Sequence, residues 1–332
     1  MQNPGNIVVG ECNMVKIIFF GDSLSADGKI NGCKATTPGG KVWTEIVPYI
    51  IGAGSSENHA ICGSRSHDLE SQIDRFIKKN PEAKQYQDTV FYSILIGGNN
   101  VINLSWTHFV AGGLSVISAA WLAYLQIKIP FSRHPLKLIY SSIKPLFISV
   151  GAGIAMAFGI TFNKNEHINK GIELISIHTD NNQNNKFIVL HLPNMNKIPL
   201  GSNIGNKVLD HVIMPNYKKH VGSVIESPVI EKAFSYALAP FIFNLNMVTD
   251  ITKTVFNYMD YWMMKYQIAS SEAQIAIISL DNLETAEGDF FDPKHPSAIG
   301  HQKMAEFIGR EINALVDETN KILYGLDSSS VD

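Results

Sequence analysis

The chain has 332 residues, 45% of them hydrophobic, and a formal net charge of −3. That is enough apolar material for a large core, in one domain with an insertion or in two, and the charge leaves no basic field for a nucleic acid. Cys12, Cys33 and Cys62 are odd in number and widely spaced. They form neither a metal-ligand pattern nor a disulfide framework and read as buried or incidental thiols.

The N-terminal stretch "MQNPGNIVVGECNMVK" lacks a basic region followed by an apolar one. The expectation is a cytoplasmic or membrane-associated protein, or one exported without a cleaved signal. "VKIIFF" (15–20) then reads as a buried strand, stopped by the glycine of "GDSLS" (21–25). "NHAICGSRS" (58–66) sets Gly63 just after a short apolar step, and "DLESQIDRFIKKN" (68–80) puts Leu69, Ile73, Phe76 and Ile77 on one helical face. "TVFYSILIG" (89–97) is a second buried strand, running into "GGNN".

Residues 105–162 break this rhythm. "FVAGGLSVISAAWLAYLQI" (109–127) and "PLFISVGAGIAMAFGITF" (145–162) carry no charge, and the connection 128–144 holds Lys128, Arg133, Lys137 and Lys144 but no acid. Ala111, Ser115, Ala119 and Ala123 recur every fourth residue, as do Gly151, Ala155 and Gly159. Such rows let two helices approach closely. The segment reads as an apolar helical hairpin inserted in a single domain spanning 1–332, serving either as a lid or as an element that meets a membrane surface.

"KFIVLHLP" (186–193) and "QIAIISL" (274–280) continue the strands. "PSAIGHQKMAEFIGREINALVDETNKIL" (296–323) closes the chain as a helix with Ile299, Met304, Phe307, Ile308, Ile312 and Leu315 on its apolar side. Strands nearly free of charge, alternating with helices, predict an α/β fold: a three-layer α/β/α sandwich on a parallel sheet. Ligands in such sheets sit at the carboxyl ends of the strands, where Ser23 falls.

"FFDPKHPSAIGHQ" (290–302) sets Asp292 three residues before His295. On a turn, that spacing lets the carboxylate hold Nδ1 of the same imidazole and leaves Nε2 free to take a proton. A serine hydroxyl needs such a base to act as a nucleophile. Gly63 offers a backbone N–H with no Cβ to shield it, and Asn99 offers a side-chain amide. Both suit the negative oxygen that develops in acyl transfer. His59, His67, His108, His134 and His191 have no ligand spacing and read as structural or surface residues. Asp22 adjoins Ser23 and points away from the place that Asp292 fills. There is no metal or phosphate-loop motif.

Taken together, "GDSLS", "AICGS", "GGNN" and "DPKHP" resemble the four blocks of the GDSL, or SGNH, serine esterases and lipases. The resemblance covers about 15–104 and 165–322, and it implies a flavodoxin-like strand order. It also implies Ser23, Asp292 and His295 as catalytic residues, the oxyanion hole at Ser23, Gly63 and Asn99, and no cofactor. Two departures stand out. Ala26 precedes Asp27 where many relatives have Asp, and Asn100 replaces the usual Asp of the third block. The family acts on lipids, short esters, acetylated sugars and thioesters. The apolar hairpin and its basic connection favour a lipid substrate, of the phospholipase A or lysophospholipase kind. An acyltransferase with the same triad, or a catalytically silent membrane-binding protein, are the alternatives. Oligomeric state is not legible.

Overall fold

The computed structural model describes residues 15–100, 135–193, 254–268, 274–290, 292 and 295–324. In chain order these form β1 (Lys16–Gly21), α1 (Trp43–Ile50), β2 (Ser55–Asn58), α2 (Leu69–Lys79), β3 (Val90–Leu95), α3 (Pro135–His178), β4 (Asn185–His191), α4 (residues 254–268), β5 (Ile275–Ser279) and α5 (Ala298–Tyr324). The five strands pair in parallel in the order β2-β1-β3-β4-β5. The chain therefore reverses its direction of travel across the sheet between β1 and β3, which opens a crevice beyond their carboxyl ends.

Alternation along each strand divides the core into two. Ile17, Phe19, Phe91, Leu95, Ile188 and Leu190 face α1 and α5, meeting Trp43, Val47, Met304, Ile308 and Ile312. Ile18, Phe20, Tyr92, Ile94, Phe187 and Val189 face the opposite way, onto Leu69, Ile73 and Phe76 of α2, Ile168, Ile172 and Ile175 of α3, and Met264 and Ile268 of α4. Covered on both faces, these strands need apolar side chains at consecutive positions, which is why they appear as unbroken runs.

The four apolar strands lie within a residue or two of their expected bounds. β2 has no such signal. It is a four-residue edge strand, "SSEN", with Ser55 and Ser56 exposed, and it is held by backbone pairing to β1 and by polar contacts of Glu57 and Asn58 rather than by apolar packing. Edge strands of this kind carry little apolar patterning. In α5, Ile299 is 62% exposed and not on the buried side. The helix is capped by Ser297, whose Oγ accepts from Gly300 N, so Ile299 lies in its first turn, ahead of the stripe that meets the sheet.

Two further expectations need correction. Cys33 and Cys62 form a disulfide, with 6.0 Å between their Cα atoms. Their 29-residue separation hides the proximity that the β1–β2 pairing creates. The hairpin over 105–162 falls partly outside the described residues, since 109–127 is not among them. Its second half does not end at 162: α3 begins at Pro135, inside the basic connection, and runs unbroken to His178. Gly151, Ala155 and Gly159 are exposed, and a Cβ on either glycine would meet nothing within 4 Å. The small-residue row thus has no described helix packed into it. Among the described residues no helix is long and apolar enough to cross a membrane.

Candidate active site

Ser23 follows directly on the buried end of β1. The chain turns over at once: Ser25 N and Ala26 N both donate to Asp22 O, which closes a single helical turn. Asp22 is buried beneath it. Its Oδ1 accepts from Leu24 N and its Oδ2 from Gly98 N, each at 3.0 Å. The carboxylate therefore ties the serine turn to the loop after β3. Burial pushes its pKa up to about 6, against the pull of those two N–H groups and the nearby His295.

The partner of Ser23 arrives from the far end of the chain. An isolated bridge between Phe290 and Pro296 draws together the turn that holds Asp292 and His295. Within it Asp292 accepts twice from one residue, His295 N on Oδ1 at 2.8 Å and Nδ1 on Oδ2 at 2.6 Å. With its Nδ1 proton on Asp292, the imidazole presents Nε2 as an acceptor, and Ser23 Oγ lies 3.0 Å from it. Residues 272 positions apart thus meet in a hydrogen-bonded line of Ser23, His295 and Asp292.

Gly63 follows from the continuation of β2 along the sheet edge. The ladder continues beyond β2, His59 N donating to Phe19 O and Ile61 N to Gly21 O, so the chain runs beside β1 to its very end. Gly63 then turns with φ +83°, a left-handed conformation that glycine adopts without strain, and it is exposed. Its neighbour Cys62 is bonded to Cys33, just before Lys34 of the Asp27–Lys34 bridge.

Asn99 stands in the turn after β3, where Asn100 N donates to Gly97 O. One Nδ2 hydrogen goes to Ser64 O at 2.8 Å, and a primary amide has a second to give. Asn100, in place of the expected aspartate, clasps Ser66: its Oδ1 accepts from Ser66 N at 3.0 Å and its Nδ2 donates to Ser66 Oγ at 2.9 Å. The amide keeps the acceptor that a carboxylate would supply there and adds a donor. Two successive asparagines therefore staple the Gly63 loop to the Asn99 turn.

Several supporting residues belong to no motif of the sequence. Gln72 is fully buried on the apolar side of α2. It accepts from Gly21 N, donates to Gly21 O and donates to Ser64 Oγ, binding the end of β1 to the Gly63 loop. The one available clue was a polar side chain between Leu69 and Ile73 on an otherwise apolar stripe. His301 is also buried, its ring between Trp43 N and Ala35 O, and burial lowers its pKa to about 4. His191 is buried against Asp260. Among the described residues no group of His, Cys, Asp and Glu could hold a metal ion.

No family model and no curated protein matches the chain. Among solved structures, a protein given as a "putative SGNH hydrolase" from Slackia heliotrinireducens aligns over 90% of this chain and 98% of its own, at 10% identity and a TM-score of 0.34. A likeness that loose carries no argument about chemistry, which rests on the geometry of this chain.

Proposed function

We propose that the protein is a serine ester hydrolase of the SGNH kind. The observation that carries this reading is the hydrogen-bonded line from Ser23 Oγ through His295 to Asp292, at 3.0 Å and 2.6 Å. Ser23 Oγ attacks the ester carbonyl as His295 Nε2 takes its proton. Asp292 holds the ring's tautomer and stabilises the imidazolium. The carbonyl oxygen becomes an oxyanion, met by the N–H groups of Ser23 and Gly63 and by the second hydrogen of Asn99 Nδ2. His295 returns the proton to the leaving alcohol, which departs and leaves Ser23 acylated. Water then attacks the acyl carbonyl as His295 Nε2 takes its proton; the acyl–Oγ bond breaks, the proton returns to Ser23 Oγ, and the acid leaves.

For the substrate we propose an ester with an apolar acyl chain, a lipid of the phospholipase A or lysophospholipase class. The support is the charge-free stretch 145–162, which keeps Phe158 and Phe162 about half exposed on α3. Tyr258, Trp262 and Tyr266, at intervals of four on α4, are exposed as well. Aromatic side chains at such positions suit an acyl chain or a lipid surface. An acyltransferase would use the same residues with an alcohol in place of water.

The test is a panel of p-nitrophenyl esters from acetate to palmitate together with phosphatidylcholine and lysophosphatidylcholine. Wild type and Ser23→Ala are compared by released product. Turnover that rises with acyl length and vanishes in folded Ser23→Ala is expected. Equal turnover in both proteins would overturn the mechanism, and a preference for acetate would overturn the lipid assignment.

A further inference from the structure

Away from Ser23, the most unusual cluster in the described residues is a buried set of charged and polar groups at the carboxyl end of β4. Lys164 on α3, Asp260 on α4 and His191 at the end of β4 are each 1% exposed or less. Lys164 Nζ lies 2.6 Å from both oxygens of Asp260. His191 Nε2 lies 3.3 Å from Asp260 Oδ2, and its Nδ1 is 3.3 Å from Ser279 Oγ. Burying such a pair gains little stability, because an apolar pair of the same volume does as well or better. Stability alone therefore gives no reason for an ammonium and a carboxylate at this place.

What the pair touches gives one. The stem of Lys164 lies directly over Gly97: a Cβ on Gly97 would sit 2.6 Å from Lys164 Cδ and 3.2 Å from its Cγ. Gly97 has φ +112° and its carbonyl closes the turn that carries Asn99. Asp22 Oδ2 holds the next N–H, that of Gly98. The Gly97–Asn99 turn is thus held by a buried carboxylate next to the serine and touched by a lysine stem whose ammonium is bound by Asp260.

We propose that Lys164, locked by Asp260, is a positioning residue for the Asn99 donor, and that α3 and α4 act on the reaction through it. The inference rests on the reading of Asn99 as an oxyanion donor. It assigns to these two helices a part in catalysis that no motif of the sequence announces. The bidentate contact leaves the ammonium one place to be, so the stem cannot leave Gly97, and the turn cannot relax towards α3. A preorganised donor contributes only while it is held at the developing charge.

The double substitution Lys164→Met/Asp260→Asn removes the lock without leaving a buried charge unpaired. Using a soluble p-nitrophenyl ester, kcat is expected to fall about tenfold with KM within twofold. In an Asn99→Ala background the same double substitution should change kcat less than twofold, because the donor it positions is already gone. A general structural role would lower kcat by the same factor in both backgrounds, and that result, or an unchanged kcat in the otherwise native protein, overturns the proposal. Should the double variant not fold, Lys164→Arg keeps the charge but needs more room and must lift the stem from Gly97; the same two comparisons apply to it.

A second readout needs no turnover. The side-chain amide pair of Asn99, identified in a spectrum of 15N-asparagine-labelled protein by its loss in Asn99→Ala, is expected to shift in either Lys164 variant while other asparagine pairs remote from α3 stay in place. An unmoved Asn99 pair in a folded variant overturns the proposal. Absence of ester hydrolysis in every protein, native included, would instead defeat the esterase reading, and the resonance would then decide the positioning role alone.

Discussion

Asn99 is the donor whose loss should be easiest to read, because its two hydrogens have separate tasks. One is committed to Ser64 O at 2.8 Å; the other is the one assigned to the oxyanion. Asn99→Ala removes both. Loss of the staple to Ser64 lowers stability by about 1 kcal/mol, the usual net worth of such a bond. Loss of an oxyanion donor raises the barrier by about 2.7–4 kcal/mol, a fall in kcat of about 10²- to 10³-fold. KM should move far less, because the ground-state carbonyl gains little from that donor. Asn99→Asp separates this from any packing effect. It has the same shape, yet it cannot donate, and it places a negative charge against both Ser64 O and the forming oxyanion. A unit charge at about 4 Å and an effective dielectric of about 20 is worth about 4 kcal/mol, so Asn99→Asp should be at least tenfold slower than Asn99→Ala. The assay is steady-state hydrolysis of p-nitrophenyl butyrate, with urea unfolding of the same preparations to establish that each is folded. Asn99→Asp within threefold of the native kcat would refute the assignment.

Other consequences can be checked with equally simple measurements. Ser23→Ala and His295→Ala should each abolish nearly all hydrolysis, and the double variant should be little slower than either, because members of a triad act as one unit; multiplicative losses in initial rates would contradict this. Asp22 and His301 should pull stability in opposite directions with pH. The Asp22 carboxyl, raised from 3.8 to about 6, is protonated in the fold while already ionised in the unfolded chain, so its contribution is full below about 4 and is lost as pH rises to about 6. His301, lowered from 6.5 to about 4, is neutral in the fold while charged in the unfolded chain, so its contribution grows over nearly the same interval. Each displacement is worth about 3 kcal/mol, so these two contributions should nearly cancel in the native protein. In His301→Gln, urea midpoints should fall between pH 4.5 and 6.5, and a rise there would show the sign to be wrong. Reducing the Cys33–Cys62 bridge, which closes a loop across 29 residues, should lower stability by about 3–4 kcal/mol on the chain-entropy account and also lower kcat, since Cys62 adjoins Gly63. An unchanged urea midpoint after verified reduction would refute this.

How far the molecule was legible beforehand depended on where its information lies. β1, β3 and β4 are covered on both faces, so their burial is written into consecutive apolar residues, and β5, at the sheet edge with Ile278 alone buried, still carries an apolar run. The turns after β1 and β3 and before α5 carry chemistry in short motifs, so Ser23, Asn99, Asp292 and His295 could be singled out one by one. β2 is held by backbone pairing and polar contacts of Glu57 and Asn58, neither of which leaves an apolar pattern. The Cys33–Cys62 bridge follows from a pairing between β1 and β2 that spacing does not reveal. Gln72 and Lys164 reach their partners through tertiary packing, one along the apolar side of α2 and the other from a long helix. The charge-free run 145–162 lies within a helix, but its limits suggested an end at 162, whereas α3 runs on to His178. Beyond it the helix continues through polar residues 163–167, and Ile168, Ile172 and Ile175 form the buried stripe on which α3 packs against the sheet.

The central claim is that Ser23 is a nucleophile made reactive by His295. Treatment of the folded protein with a fluorophosphonate, followed by intact-mass measurement and peptide mapping, tests it directly. One adduct is predicted per chain, carried by the peptide containing Ser23, absent in Ser23→Ala and slowed by at least 10³-fold in His295→Ala, on the scale of losses when a triad member is removed. A folded native protein that takes up no label, or takes it up on a residue other than Ser23, would contradict the account.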